Sequence, residues 1–531
     1  MTTEDVTDRV SNKKDSDENL EDIKINQPKD TEKVKIYSTI AFIVVVVGIG
    51  FPVWWKTTEV YRVSLPNSQI MSLDHTTISI KSTVFVWGEN SEVSVKDLQK
   101  KTFPYFWSLN FISIPSSVNA GSVTELVELI EKRGLLKSGD FLVIKWPQKF
   151  DNNVEFSDKR YAVVKTTASS DAIFDILNSH VLKSKQMESA LENSHSITSR
   201  DTSISTKYEI VLTVLIQSPQ THKINFDPRK VAKEYITPFL SKFSTLTNAT
   251  VKSQWKYQSR IDFTTKKIPD ESKIKRHYSV EEHILPNIIT SIESKIGSGI
   301  SNHPVVNLVI YVPPCTQSPL YIYQNGAKAE NSFVASSFGG ILIYNPEEEQ
   351  CIQQLETNEP IDVDVSLELV SKAFLRQLVE LMNLREYFLV PGTNTLNLNK
   401  VEDESWQFDC LLRRNTLVYL STTIQTLQSL VRLLDGISYI VINDDVGQSI
   451  IEANANVRKS ERLLKNGHLK EAFEYAKKAY LASEHAFFDY TLLAQLYFPD
   501  EQKYAIYIPL FLPVLVPVLS SIKTLKKHFF K

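Results

Sequence analysis

Two uncharged runs frame this chain, and between them apolar positions alternate between strand and helix spacing. The first run, Ile36 to Trp55 (IYSTIAFIVVVVGIGFPVWW), is twenty residues long. At 1.5 Å rise per residue it matches the roughly 30 Å hydrocarbon core of a bilayer. It ends in Trp54 and Trp55. Indoles suit a membrane interface and not the small-x-small site of a cleaved signal peptide, so a retained anchor is expected. The second run, Tyr504 to Ile522 (YAIYIPLFLPVLVPVLSSI), lies between Lys503 and Lys523 and predicts a second transmembrane helix.

Between the runs, Ile210 to Ile216 (IVLTVLI), Val305 to Val312 (VVNLVIYV) and Ile341 to Tyr344 (ILIY) read as strands buried on both faces. The last follows the turn pair Gly339-Gly340. Helical periodicity lies among them, in Thr124 to Leu136 and in Leu367, Val370, Phe374, Leu378 and Leu381. This alternation predicts an α/β class, a mixed sheet with flanking helices. From about Trp406 the pattern turns helical. Leu420, Ile424, Leu427, Val431 and Leu434 share one face, with Gly436 as a C-terminal cap. Asn456 to Ala482 reads as a helical hairpin turning at Asn466-Gly467, with Leu463, Leu464, Leu469 and Ala472 facing inward. It resembles half a tetratricopeptide array, but no second copy follows at a fixed period.

Charge orients the anchors. Lys523, Lys526, Lys527 and Lys531 put the C-terminus in the cytosol, and two spans then put the N-terminus there too. The expected organisation is a cytosolic tail over residues 1–35, a span at 36–55, a luminal segment at 56–503, a span at 504–522 and a basic cytosolic tail at 523–531. Within the luminal segment an α/β part runs to about 400 and a mostly helical part follows. The first tail has ten acidic and seven basic residues and no Phe, Trp or Tyr, so it is expected to be disordered. The sequon Asn248-Ala249-Thr250 falls in the luminal segment, which makes Asn248 the candidate glycosylation site.

A net charge of -3 over 531 residues gives no basic excess for binding nucleic acid. Cys315, Cys351 and Cys410 are too few and too widely spaced for a zinc site. They allow one disulfide and one spare thiol in any of three pairings. The sequence has no phosphate-binding glycine loop, no H-E-x-x-H and no G-x-S-x-G. Gly297-Ser298-Gly299 lacks the nucleophile-elbow spacing. No two of the ten histidines are three or four residues apart. Asp362 and Asp364 alternate with Ile361, Val363 and Val365, as on a half-exposed strand, and Asp444-Asp445 suits a helix N-terminus better than a cation. A thiolate paired with imidazole could transfer an acyl group. However, Cys315 follows Pro313-Pro314 in a polar loop, Cys410 reads as core, and neither has a histidine in a local motif.

Several blocks resemble the PIG-S family: FPVWWKTTEVYRVSLPNSQI (Phe51 to Ile70), VPPCTQSPLYIY (Val312 to Tyr323), GGILIYN (Gly339 to Asn345), ISYIVINDDVGQSI (Ile437 to Ile450) and the long block from Ser483 to Ser521. The resemblance implies a non-catalytic subunit of the five-subunit enzyme of the endoplasmic reticulum (ER) that replaces a C-terminal propeptide with a glycosylphosphatidylinositol (GPI) anchor. Its partners would be the PIG-K, PIG-T, PIG-U and GPI-attachment subunits. PIG-K, a cysteine-peptidase relative, would perform the transfer. The resemblance implies no cofactor, no metal and no catalytic residue in this chain. The last residues, His528-Phe529-Phe530-Lys531, show no dilysine signal, so ER residence is expected to come from assembly. The competing expectation is a membrane-tethered luminal hydrolase with an unfamiliar Cys or carboxylate site.

Pro509, Pro513 and Pro517 recur at four-residue spacing in the second run and so fall on one helical stripe. Each lacks an amide hydrogen, which leaves the carbonyls of Ala505, Pro509 and Pro513 without their usual partners. In hydrocarbon such carbonyls are costly, so the stripe is expected to face another helix of the complex.

Overall fold

The computed structural model describes residues 29–58, 61–114, 121–147, 154–192, 204–261, 264–269, 276–296, 301–389, 404–437, 440–492 and 500–529. The expectations for residues 1–28 and for Gly297-Ser298-Gly299 lie outside the described residues. The chain divides into two compact units. One comprises Met1–Val63, Ile437–Asn443 and Tyr490–Lys531, and the other Ser64–Gly436 and Asp444–Asp489.

In the first unit the N-terminal run is helical throughout. It is an α-helix at Lys29–Ile43, a π-helix at Val44–Gly50 and an α-helix again at Phe51–Thr58. Among the described residues, Lys33–Val53 is the one helix long and apolar enough to cross a bilayer, and none of it is buried. A water-exposed surface of this kind is stable only in lipid or against another protein. The C-terminal helix, Asp500–Phe529, packs on the Lys29–Ile43 helix and holds Pro509, Pro513 and Pro517 in its interior. Its described apolar stretch, Leu512–Lys523, is shorter than a span.

The second unit contains separate sheets in place of the single mixed sheet expected. β1 (Ile80–Trp87), β2 (Trp107–Ile114), β3 (Phe141–Trp146), β4 (Val154–Phe156) and β5 (Tyr161–Lys165) form a sheet in the order β2-β1-β3-β5-β4. All its pairs are parallel except β4 with β5. Parallel neighbours need crossovers, and the helices Ser91–Gln99 and Val123–Lys132 supply two of them. The second helix is capped by Ser122, whose Oγ accepts from Glu125 N. It stops at Lys132, before the expected Leu136, because Gly134 takes the left-handed conformation (φ +64°). Phe85, Trp87, Leu126, Ile130, Leu142 and Ile144 form the core beneath it.

The predicted buried strands form the second five-stranded sheet. β6 (Lys207–Ile216), β8 (Asn248–Tyr257), β11 (Val305–Val312), β14 (Ser332–Ala335) and β15 (Gly339–Ile343) run in the order β14-β15-β11-β6-β8. Only β14 is antiparallel. Gly339 and Gly340 are the first residues of β15 and not a turn before it. A Cβ on Gly339 (φ +142°) would lie 1.9 Å from Asn307 O, so glycine is what lets β15 approach β11. A smaller sheet, β9 (Lys266–Pro269), β10 (Arg276–Glu281), β12 (Leu320–Gln324) and β13 (Ala327–Lys328), shares a core with it through Val280, Leu320, Val309 and Ile341. β7 (His222–Asn225) pairs in parallel with β16 (Ile361–Asp364), where Asp362 and Asp364 point outward as their alternation predicts.

The helical layer also follows its pattern. Leu420, Ile424, Leu427, Val431 and Leu434 are all buried on the Trp406–Gly436 helix, which ends at the expected glycine. The helices Asp444–Asn466 and Leu469–Phe487 pack on each other and on this helix. Gly467 (φ +82°) makes the turn between them. Leu464, Leu469 and Ala472 are buried there, and Leu463 is half-buried. Asp444 and Asp445 occupy the first turn of their helix, where the macrodipole favours negative charge.

Candidate functional site

No histidine or cysteine motif was visible in the sequence, yet folding joins three such residues. Cys351, on the helix Glu348–Thr357, forms a disulfide with Cys315, which sits in a short 3-10 turn after β11. Cys315 is thus buried, against the polar loop expected, because the disulfide and the end of β11 draw that turn into the core. His222, the first residue of β7, brings its Nε2 to 3.4 Å from Cys315 Sγ, while its Nδ1 lies 2.9 Å from Thr221 Oγ1. Burial lowers the imidazole's pKa. A neutral imidazole is the chemical result at neutral pH.

The one nitrogen and two sulfurs lie within 4.8 Å of one another. As thiolates the sulfurs could bind a soft metal, and Cys315 could serve as a nucleophile beside His222. Bonded to each other they have no free thiolate for either role. Cys410 is the remaining thiol; it is buried, and its Sγ lies 2.7 Å from Val181 O. Burial raises its pKa, which keeps it a protonated and inert core group.

In the first unit, the segment Ile437–Asn443 ties together the chain on either side of the two terminal helices. Ile442 N donates to Tyr61 O (3.1 Å), and Val63 N donates to Ile442 O (3.2 Å). Asn443 Nδ2 donates to Thr491 Oγ1 (3.2 Å). Ile440, Ile442 and Leu492 are buried there. Two consecutive residues, Ile442 and Asn443, therefore hold both Tyr61–Val63, after the N-terminal helix, and Thr491, before the C-terminal helix.

Asn248, the sequon asparagine, is the exposed first residue of β8, and Thr250 is exposed as well. Among the described residues β8 pairs with β6 alone, so the sequon lies on a sheet edge that a glycan can reach.

A family model described as phosphatidylinositol-glycan biosynthesis class S protein, PIG-S, matches residues 41–531. The chain belongs to the PIG-S family. It is 32% identical over 527 residues to a GPI-anchor transamidase component PIGS from Bos taurus, with 91% of this chain and 94% of that relative covered. The Homo sapiens protein of the same name is 31% identical over 532 residues, again covering 91% and 94%. A GPI transamidase component PIG-S homolog from Schizosaccharomyces pombe is 23% identical over 499 residues, covering 92% of this chain and 82% of its own length.

The blocks that carried the family resemblance map onto the features above. Val312 to Tyr323 contains the end of β11, Cys315 and all but the last residue of β12, while Gly339 to Asn345 contains β15. Phe51 to Ile70 and Ile437 to Ile450 contain the two sides of the tie between Tyr61, Val63 and Ile442. Sequence reading missed His222, because 93 residues separate it from Cys315. A neutral buried histidine leaves no local signal. Pro509, Pro513 and Pro517 are exposed on the C-terminal helix, on the stripe that their spacing predicts.

Proposed function

We propose that this chain is a non-catalytic subunit of the GPI transamidase of the ER, held in the membrane by a helix near each terminus. The observation that carries this reading is the family match over residues 41–531, which takes in the body, the C-terminal helix and the N-terminal helix from Ala41 onward. The transfer then belongs to another subunit, PIG-K, and this chain serves assembly with it and with the PIG-T, PIG-U and GPI-attachment subunits. The disulfide supports a luminal body, since such bonds persist in oxidising compartments. It also argues against the hydrolase reading. The contact between His222 and Cys315 would favour a nucleophile, but the disulfide occupies that sulfur.

Native affinity purification of the tagged full chain, with partner identification, tests the assignment. The transamidase subunits are expected to co-purify, and their absence would overturn it. Topology is read on sealed microsomes. Both termini are expected to be open to protease, and Asn248→Gln is expected to abolish a glycan-dependent mobility shift. Protection of either terminus would overturn the placement of both termini in the cytosol.

A further inference from the structure

The helix Glu348–Thr357 turns two unlike sides outward and one inward. Cys351 and Gln354 are buried, and the disulfide to Cys315 pins that side to the body. Gln350, Gln353 and Thr357 fall together on one outer side, uncharged. The other outer side carries Glu348, Glu349, Ile352, Leu355 and Glu356, which at 100° per residue occupy one contiguous sector. Ile352 is 46% exposed and Leu355 is 50% exposed, three residues apart and therefore neighbours on the surface. The helix also contacts β16, whose Asp362 and Asp364 point outward.

The charge around this face is one-sided. No Lys or Arg occurs between Lys328 and Lys372, a stretch that holds nine Asp and Glu residues. Lys223 pairs with Asp362 at 3.6 Å from the neighbouring strand β7. Among the described residues no base pairs with Glu349 or Glu356. An anionic bilayer surface would be repelled by such a face. A second copy of this chain, docking symmetrically, would bring the same glutamates together. A cationic segment with an apolar anchor satisfies both the aliphatic pair and the acidic rim.

We infer that the Ile352–Leu355 face of this helix is a docking surface for a basic, amphipathic polypeptide segment of another protein in the assembly. The inference rests on the reading of the chain as a subunit of a complex. The disulfide has a definite part in it. Ten-residue helices are marginal on their own, and Cys351 fixes this one so that its acidic and apolar side chains meet a partner already ordered. Lysine or arginine side chains of the partner would flank Glu348, Glu349 and Glu356, while one or two of its apolar side chains cover Ile352 and Leu355.

The test places a photoreactive amino acid at Leu355 in the tagged full chain, with the same substitution at Gln353 on the uncharged side as a control. After irradiation the purified assembly is digested and the cross-linked peptide sequenced. An adduct at Leu355 and not at Gln353, on a segment of another subunit with net positive charge, is the expected result. Combining Glu348→Lys, Glu349→Lys and Glu356→Lys should lower its yield by about tenfold or more, with the Cys315–Cys351 disulfide still formed as proof of folding. An adduct on lipid, on a second copy or on a neutral or acidic segment overturns the proposal, and so does an adduct that survives charge reversal. If the transamidase subunits are present in the sample and Leu355 gives no adduct, this inference fails while the subunit assignment stands. If they are absent, the assignment itself fails.

Discussion

Arg160 Nε donates to Asp409 Oδ2 at 2.6 Å, across 249 residues of sequence. The carboxylate also accepts from Arg160 Nη2 (3.1 Å), Ser138 Oγ (2.7 Å) and Gly139 N (2.9 Å). Asp409 is buried near the start of the Trp406–Gly436 helix, and Arg160 lies just before β5 in the first parallel sheet. One turn on, Arg413 donates to Gly139 O and Val181 O. A single carboxylate thus joins the helical layer to the sheet. Its surroundings meet the condition under which a buried charge is tolerated, since four donors replace water.

Removing one partner is therefore costly. Asp409→Ala should destabilise the protein by about 3–5 kcal/mol, because Arg160 would remain charged and mostly buried without its 2.6 Å carboxylate partner. The double variant Arg160→Met with Asp409→Leu should lose less than the single one. Urea unfolding of the detergent-solubilised chain measures both, and equal losses would show that the pair matters only as packing.

Cys315→Ser and Cys351→Ser should each lower stability by about 4 kcal/mol, as loop-closure entropy predicts for cysteines 36 residues apart. The double variant should be no worse than either. Cys410→Ala should leave the non-reducing gel pattern unchanged. GPI attachment, compared at equal protein level, should persist in all three single variants. Abolished attachment at normal abundance in an intact complex would assign chemistry to that cysteine.

Burial depresses the folded-state pKa of His222 below its unfolded value of about 6.5. Below that pH the unfolded chain binds a proton that the folded chain resists, so stability falls with pH at up to about 1.4 kcal/mol per unit until the folded pKa is reached. Above it His222 contributes no pH dependence. His222→Gln should flatten the stability curve in this window. A slope unchanged by the substitution would place the titration elsewhere.

Turning Pro509, Pro513 and Pro517 to leucine should leave membrane insertion intact and weaken assembly with partner subunits by about 1–2 kcal/mol. Co-purification at matched abundance measures this. An undiminished yield from the triple variant would show that the stripe faces lipid or water.

Local pattern made the elements legible. β6, β11 and β15 are apolar on both faces, as central parallel strands must be, and the Leu420-to-Leu434 spacing marks the inner face of its helix without reference to any partner. Gly467 likewise signalled a turn that its backbone makes. The apolar helix over Ile36 to Trp55 was readable for the same reason, since length and missing charge are properties of a contiguous segment. Tertiary structure alone decided which distant residues meet. Three cysteines allow three pairings, and only the approach of the Glu348–Thr357 helix to the end of β11 selects Cys315 with Cys351. His222 reaches that bond, Asp409 reaches Arg160, and Ile442 reaches Tyr61 and Val63 across sequence separations that carry no periodic signal. Periodicity records how a segment relates to its own surroundings, as apolar or polar. It does not record which other segment supplies those surroundings, because many partners present the same apolar face and only packing the whole chain chooses among them.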